Sequence, residues 1–391
     1  MARNRTIYNV LALYASNKTA TGMQTGAGDI TQLSRVQSFD EDFTRNLTDV
    51  NQFGNLAAID RIEVENPDVT ASFSYYLTNG QNEKNIGLTV FGTGVQETNL
   101  RSCISGILTD KALQEKNYYL LISEEGFDAS NYGGTKSGVI GIGNGFLSSY
   151  SVNAAVGEIP TADVEIEGLN VRVYANLATN EVQTGPNKTG TGIGIVPAIN
   201  PVDGQNLTGS FFSLPMAQSL TGTDVPNALQ PGDIIFNLES DKVLGFDGAD
   251  LKVQDFTLSF DLARTPLQKI GNRFAFSREI DFPVTATLEV NAEVGDLASG
   301  NLADLLCGEA DKDFTILMKE PGCGTSKDTA LAYVFKGAKL VSQTFSSAIG
   351  DNVTMGATYE VQLGGPQDTS KGIFISGSFP SESEPEPEPE E

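Results

Sequence analysis

The chain has 391 residues, enough for two or three domains with cores of their own, and 39% of them are hydrophobic, which excludes a wholly disordered polypeptide. Acids outnumber bases 50 to 25, for a formal charge of −25; this argues against stable DNA or RNA binding, whose affinity comes from Lys and Arg releasing counterions. The absence of histidine removes Ser-His-Asp and Cys-His catalysis, the common His-based metal sites and the usual near-neutral general base.

The first fifteen residues carry two arginines before the apolar run Val10 to Ala15, a superficial mimic of a secretion signal. That run is short for such a signal, so a first β-strand is expected there. No segment approaches the ~20 apolar residues of a membrane span.

Val36 to Gly54 sets against Val253 to Gly271 without a gap and shares six of nineteen residues: Val, Gln, two Phe, Thr and Gly. Downstream, Val69 to Phe73 answers Val284 to Leu288, Lys116 to Gly126 answers Lys312 to Gly322, and Ser149 to Gly157 answers Ser342 to Gly350, in the same order. Ordered repeats mean a duplicated fold, and the offset, which drifts from 217 to 193, means loops of different length on one framework. Strict alternation in Asp163-Val164-Glu165-Ile166-Glu167, and of Glu289, Asn291 and Glu293 with Val290 and Ala292, predicts half-buried strands. One helix per copy is expected, over Thr98 to Leu108 and Gly300 to Leu306; the first places Leu100, Cys103, Ile104 and Ile107 on a face that packs on a sheet.

Four regions follow: a first domain over 1–175, a Gly/Thr/Pro-rich connection or inserted arm over 176–246, a second domain over 247–377, and an acidic Glu/Pro tail over 378–391. Gly232-Asp233-Ile234 echoes Gly28-Asp29-Ile30, so the end of the connection is expected to supply the opening strand of the second copy. The tail composition favours a solvated, extended chain.

No motif implies a cofactor, a metal or catalysis. Cys103, Cys307 and Cys323 form no CxxC pair and read as reduced thiols of a cytoplasmic assembly. Gly141-Ile142-Gly143-Asn144-Gly145 and Gly190-Thr191-Gly192-Ile193-Gly194 lack the lysine of a phosphate loop and read as turns or bulges. The aspartates of Phe246 to Asp250 lack the ligand spacing of a calcium loop.

Phe260 to Val294 and Phe335 to Gly377, above all Ser346 to Asp351 and Gly364-Gly365-Pro366-Gln367-Asp368, resemble the tail tube and major tail proteins of tailed bacteriophages. Val36 to Leu77 and Val139 to Gly168 are similar to the same proteins, so the likeness covers roughly two thirds of the chain. It implies a mainly β fold with minor α, two tandem β-sandwich or barrel domains each with a flanking helix, and no enzymatic activity. It further implies a virion protein, assembled in the host bacterial cytoplasm, whose partners are itself and other tail proteins. Its rings, homotrimeric and pseudo-hexameric or else hexameric, would stack into a hollow tube through which DNA passes without stable binding. Glu63, Glu65, Asp163, Glu165, Glu167, Glu289 and Glu293 are the candidate lumen-facing acids. Other enzymatically silent virion components, such as a capsid decoration or tail terminator protein, share this acidic, β-rich composition; a receptor- or glycan-binding fibre module fits it less well.

Overall fold

A computed structural model describes residues 11–18, 30–64, 67–92, 101–123, 129, 137–177, 194–207, 211–212, 214–215, 217–218, 226–238, 251–272, 274–294, 312–322, 327–347, 349 and 352–378. The chain is mainly β. Its first part contains β1 (Leu11–Asn17), β2 (Ile30–Gln32), β3 (Val36–Thr44), β4 (Leu47–Val50), β5 (Asp60–Glu63), β6 (Asp68–Tyr76), β7 (Val90–Gly92), β8 (Lys116–Ile122), β9 (Ser137–Ala155), β10 (Thr161–Gly168) and β11 (Asn170–Leu177). Short helices α1 (Gln81–Asn85), α2 (Ser105–Thr109) and α3 (Lys111–Gln114) lie among them. A small hairpin, β12 (Gly194–Ile195) with β13 (Phe211–Phe212), precedes β14 (Ile234–Leu238), β15 (Leu251–Asp261), β16 (Arg264–Leu267), β17 (Ser277–Ile280), β18 (Thr285–Val294), β19 (Lys312–Lys319), β20 (Thr329–Ser346), β21 (Thr354–Gln362) and β22 (Gly372–Gly377).

Two long strands organise the rest. The start of β9 pairs with β8 and β11, and its end with β10 and β15. Likewise β20 begins between β19 and β22 and continues beside β21. A strand shared by two layers ties them together with apolar faces inward. Across the layers Phe73 of β6 meets Tyr118 of β8 at 5.9 Å, and Phe314 of β19 meets Tyr359 of β21 at 4.5 Å. Period-two geometry selects the core residues: Ala162, Val164 and Ile166 of β10 and Phe256, Leu258 and Phe260 of β15 are all buried. Each large apolar side chain so buried contributes about 1.5–3 kcal/mol.

One layer is a continuous run of eight antiparallel strands, β3-β6-β10-β9-β15-β18-β21-β20. It consists of two blocks of four joined by the β9·β15 ladder, and the blocks have matching registers. Val36 opposes Tyr75 and Val253 opposes Ala292, with a slip at the following glutamine in both cases, Gln37 and Gln254. Glu165 opposes Ser149 and Thr358 opposes Ser342, and both ladders then skip one residue before Leu147 and Leu340.

One expectation needs correction and two others are met in part or in full. Residues 101–104 are not helical, and the helix begins at Ser105; Cys103 and Ile104 are buried, but the Cys103 N–H donates to Ile373 O (2.8 Å) in β22, a tertiary bond in place of a helical one. Thr98 to Leu100 and Gly300 to Leu306 lie outside the described residues, as do Gly190 to Ile193, Asp247 to Asp250 and the tail beyond 378. Gly141 and Gly143 sit inside β9 rather than in a turn, and the bulge alternative holds: the β8·β9 ladder slips at Gly143 and Asn144, where Pro197 lies against the strand. As expected from Gly232-Asp233-Ile234, the end of the connection supplies a strand to the second copy: β14 begins at Ile234 and pairs with β19 along its whole length.

The connection seats on the outer side of β8, β9 and β11. Phe212 packs on Tyr119 (4.6 Å) and edge-on to Tyr174 (5.0 Å), with Val196, Ala198 and Leu214 buried around them. Asn144 holds it by both amide atoms, accepting from Ile199 N–H (2.8 Å) and donating to Ile199 O (3.2 Å). A Cβ at Gly143 would collide with the Pro197 carbonyl, which is why a glycine stands in mid-strand.

A buried polar cluster joins the blocks. The Glu83 carboxylate accepts from Tyr75 Oη (3.0 Å) and Tyr150 Oη (3.2 Å), and Tyr150 and Tyr333 share a hydroxyl hydrogen bond of 2.8 Å. Burial raises the Glu83 pKa above its usual 4.5 and holds the three tyrosines protonated.

Gly143→Ala should push the connection off its seat, cost about 1–3 kcal/mol in thermal unfolding, and raise proteolytic cutting near Pro197; an unchanged melting curve would refute the close-approach explanation. For Glu83 the sign follows from the raised pKa: its contribution is fullest below the unfolded value and is lost as pH rises through the folded one. The stability difference between Glu83→Gln and wild type should therefore shift toward the variant as pH rises from 4.5, by at most about 1.4 kcal/mol per pH unit; parallel pH profiles would show that Glu83 ionises at no cost.

Candidate functional site: an acidic face on the continuous sheet

Residues opposite one another in an antiparallel ladder share a face, so the open side of the eight-stranded layer can be followed strand by strand. One row runs Asp40, Ser72, Glu165, Ser149, Asp261. A second runs Ser74, Asp163, Ser151, Ser259, Thr287, Glu360, Lys339. A third runs Thr161, Asn153, Thr257, Glu289, Thr358, Ser342. Serines and threonines stand between the carboxylates, which keeps like charges from facing each other directly.

Asn153 donates to Asp163 Oδ2 (2.9 Å) and Asn291 to Asp255 Oδ1 (2.7 Å), so amides rather than cations orient these two aspartates. A groove of about 360 Å³ on this face is lined by Asp40, Asp42, Glu165 and Glu167 among others. The result is a hydroxyl-rich, acidic surface.

Of the acids singled out in the sequence, Asp163, Glu165, Glu167, Glu289 and Glu293 come together on this face. Glu63 does not: it lies on the separate β4–β5 hairpin and accepts from Arg45 Nε at 2.9 Å. Glu65 is outside the described residues. Asp40, Asp42, Asp255, Asp261 and Glu360 join the face unforeseen. For Asp40 and Asp42 a signal existed, since Phe39 and Phe43 share one side of β3 and leave these two acids on the other.

A hairpin crosses part of the face. The β16–β17 hairpin, which follows β15, reaches over the first block, where Arg278 Nη1 pairs with Glu167 Oε2 at 2.9 Å. The guanidiniums of Arg264 and Arg278 stack over Phe146 at 5.1 and 5.9 Å, and burial lowers the Arg264 pKa to about 10 against the pull of Glu167 and Glu279. The β4–β5 hairpin, which follows β3, is exposed along both strands, with Arg61 paired to Asp49 of its own hairpin. Elsewhere a cavity of about 500 Å³ borders Lys116, whose ammonium donates to Asn17 Oδ1 (2.7 Å) and whose pKa burial lowers to about 8.

No protein-family profile and no curated protein matches this sequence. Among solved structures the chain is similar to the SPP1 tail tube, at 10% identity and a TM-score of 0.28, over 50% of this chain and 100% of that one. It is also similar to a chain of the anti-feeding prophage baseplate, at 9% identity and a TM-score of 0.21, over 37% of this chain and 91% of that one.

Proposed function

We propose that this protein is a tail-tube subunit made of two copies of one domain, and that its acidic face lines a bore through which DNA slides. The observation that carries this reading is the continuous layer of two four-stranded blocks with matching registers and a carboxylate-rich open side. A sheet that joins one block to a like block through β9·β15 offers a junction that, repeated between chains, would extend the layer around a ring. Three chains of two domains each would supply the six domains that single-domain tube proteins use, which favours a trimeric ring over a hexamer with decorating second domains. Carboxylates on the bore would keep phosphates off the wall, and the cations on this face stand beside acids, Lys252 opposite Glu293, Lys339 opposite Glu360 and Arg278 paired with Glu167. The protein's role is structural, with copies of itself and other tail proteins as partners.

Negative-stain electron microscopy with light scattering on the purified protein is expected to show rings or tubes with a central hole and a repeating mass of three chains; monodisperse monomers under tail-assembly conditions would overturn the reading in favour of a decoration or fibre protein. Replacing Glu165, Glu289 and Glu293 together with Lys should leave assembly intact but slow DNA passage at least tenfold at low salt, with recovery as salt screens the wall; unchanged passage would remove the acids from the bore.

A further inference from the structure

The cavity of about 500 Å³ beside Lys116 lies at a second seam between the blocks. It is bordered by the end of β1, by the start of β7 at Val90, and by residues of the three short helices. β1 pairs with β8 of the first block, whereas β7 pairs with β22 of the second. Its charge is an exception in a chain with 50 acids and 25 bases: three cations, Lys84, Arg101 and Lys116, border it with one acid, Asp110.

Lys116 stands out among them. It is 5% exposed, and its ammonium, which has three donors, makes one hydrogen bond, to the neutral Asn17 amide, and no ion pair among the described residues. Burial lowers its pKa to about 8, opposed by the field of Asp110. Ser105, buried at the same cavity, has a hydroxyl with no hydrogen-bond partner among the described residues. A carboxylate in contact offsets the cost of burying a cation and accepts from a hydroxyl as well. The other buried cations, Arg264 and Arg278, already stand beside Glu167 and Glu279.

The densest source of carboxylates in the sequence starts close by. Ser378 is fixed at the end of β22, where its N–H donates to Ala330 O (2.8 Å) and its carbonyl accepts from Asn79 Nδ2 (3.3 Å). Two residues after Asn79, Gln81 opens α1 and borders the cavity. Residues 379–391, outside the described residues, hold six glutamates, Glu382 the first, and no base. An extended Glu/Pro chain advances about 3.1 Å per residue, which puts the glutamates about 12 to 40 Å along the chain from Ser378, enough to reach the cavity.

We propose that the acidic tail of each chain folds back into this cavity, where Lys116 and Arg101 receive glutamate carboxylates and the Ser105 hydroxyl donates to one of them. The tail then spans β1 of the first block and β7 of the second and clips the seam between them. Charge selects this occupant, since the open acidic face repels the tail and the cavity attracts it. The docking is a property of the single chain and needs no ring.

The test treats the full chain with a water-soluble carbodiimide, which joins a carboxylate to an amine, and maps the crosslinked peptides. Bonds from Lys116 to Glu382, Glu384 or Glu386 are expected within single chains, so isotopically heavy and light chains mixed together should give no mixed products. Arg101→Glu should lower the yield by about tenfold with an unchanged circular dichroism spectrum, and so should ~1 M salt, where the screening length is about 3 Å. A second readout covers slow coupling at a buried amine: with all six tail glutamates changed to Gln, acetylation of Lys116 should speed up severalfold. Either signal supports the docking. No tail crosslink to Lys116 together with an unchanged acetylation rate would overturn it, and mixed-isotope products would overturn it by moving the tail to a neighbouring chain. Protection of Lys116 by inorganic phosphate alone, equal with and without the tail glutamates, would assign the cavity to a small anion instead.

Discussion

Everything on the open face depends on one backbone ladder, that between Ser149 to Ala155 of β9 and Asp255 to Asp261 of β15. Other contacts also join the blocks, among them the β7·β22 ladder and the Glu83–Tyr150–Tyr333 cluster, but this ladder is the one that makes the open sides edge-to-edge neighbours. With it, Glu165 and Asp261 fall in one row and the open sides of the two blocks become one surface. The ladder is backed from inside by Tyr150, which stacks near Phe260 at 5.5 Å and carries the hydroxyl that links Glu83 and Tyr333. A polar group at such a seam is costly unless partnered, so it favours one relative placement of the blocks over others.

Collecting carboxylates on one face opposes folding through self-repulsion, and the design tempers that cost locally. Hydroxyls separate the acids, amides of Asn153, Asn291 and Asn352 donate to three of them, and the buried alternate residues of β10, β15 and β18 supply the offsetting apolar contacts. On an open monomer, salt with a screening length of roughly 8 Å would mute this field. In the ring proposed above, facing acids would reinforce one another, so the same residues would act more strongly in that assembly than alone.

Much of this was legible in the residues. Alternation over Asp163 to Glu167 marks β10 and its inward Val164 and Ile166, and the matched Val-Gln-x-Phe starts of β3 and β15 mark corresponding strands. What was hidden is long-range. Nothing local says that Tyr150 meets Tyr333, 183 residues away, or that Gly143 makes room for Pro197. The spacing of Cys103, Ile104 and Ile107 suits a helix, yet Cys103 bonds to β22 and the helix starts only after Ile104, a case of tertiary contact overriding propensity. At β3 the run Asp40-Glu41-Asp42 masked the period-two pattern, because Glu41 stands on the side that its counterpart Leu258 uses for the core. That irregularity is itself informative, since it falls on a terminal strand of the layer.

The most direct measurement is a cryo-electron microscopy reconstruction of the assembled protein at a resolution that traces individual strands. Asp163, Glu165, Glu167, Glu289 and Glu293 are expected to line a continuous central bore, with the seat of Phe212 on the outside. A reconstruction in which these acids face outward solvent, or in which the eight-stranded layer does not border a lumen, would contradict the account.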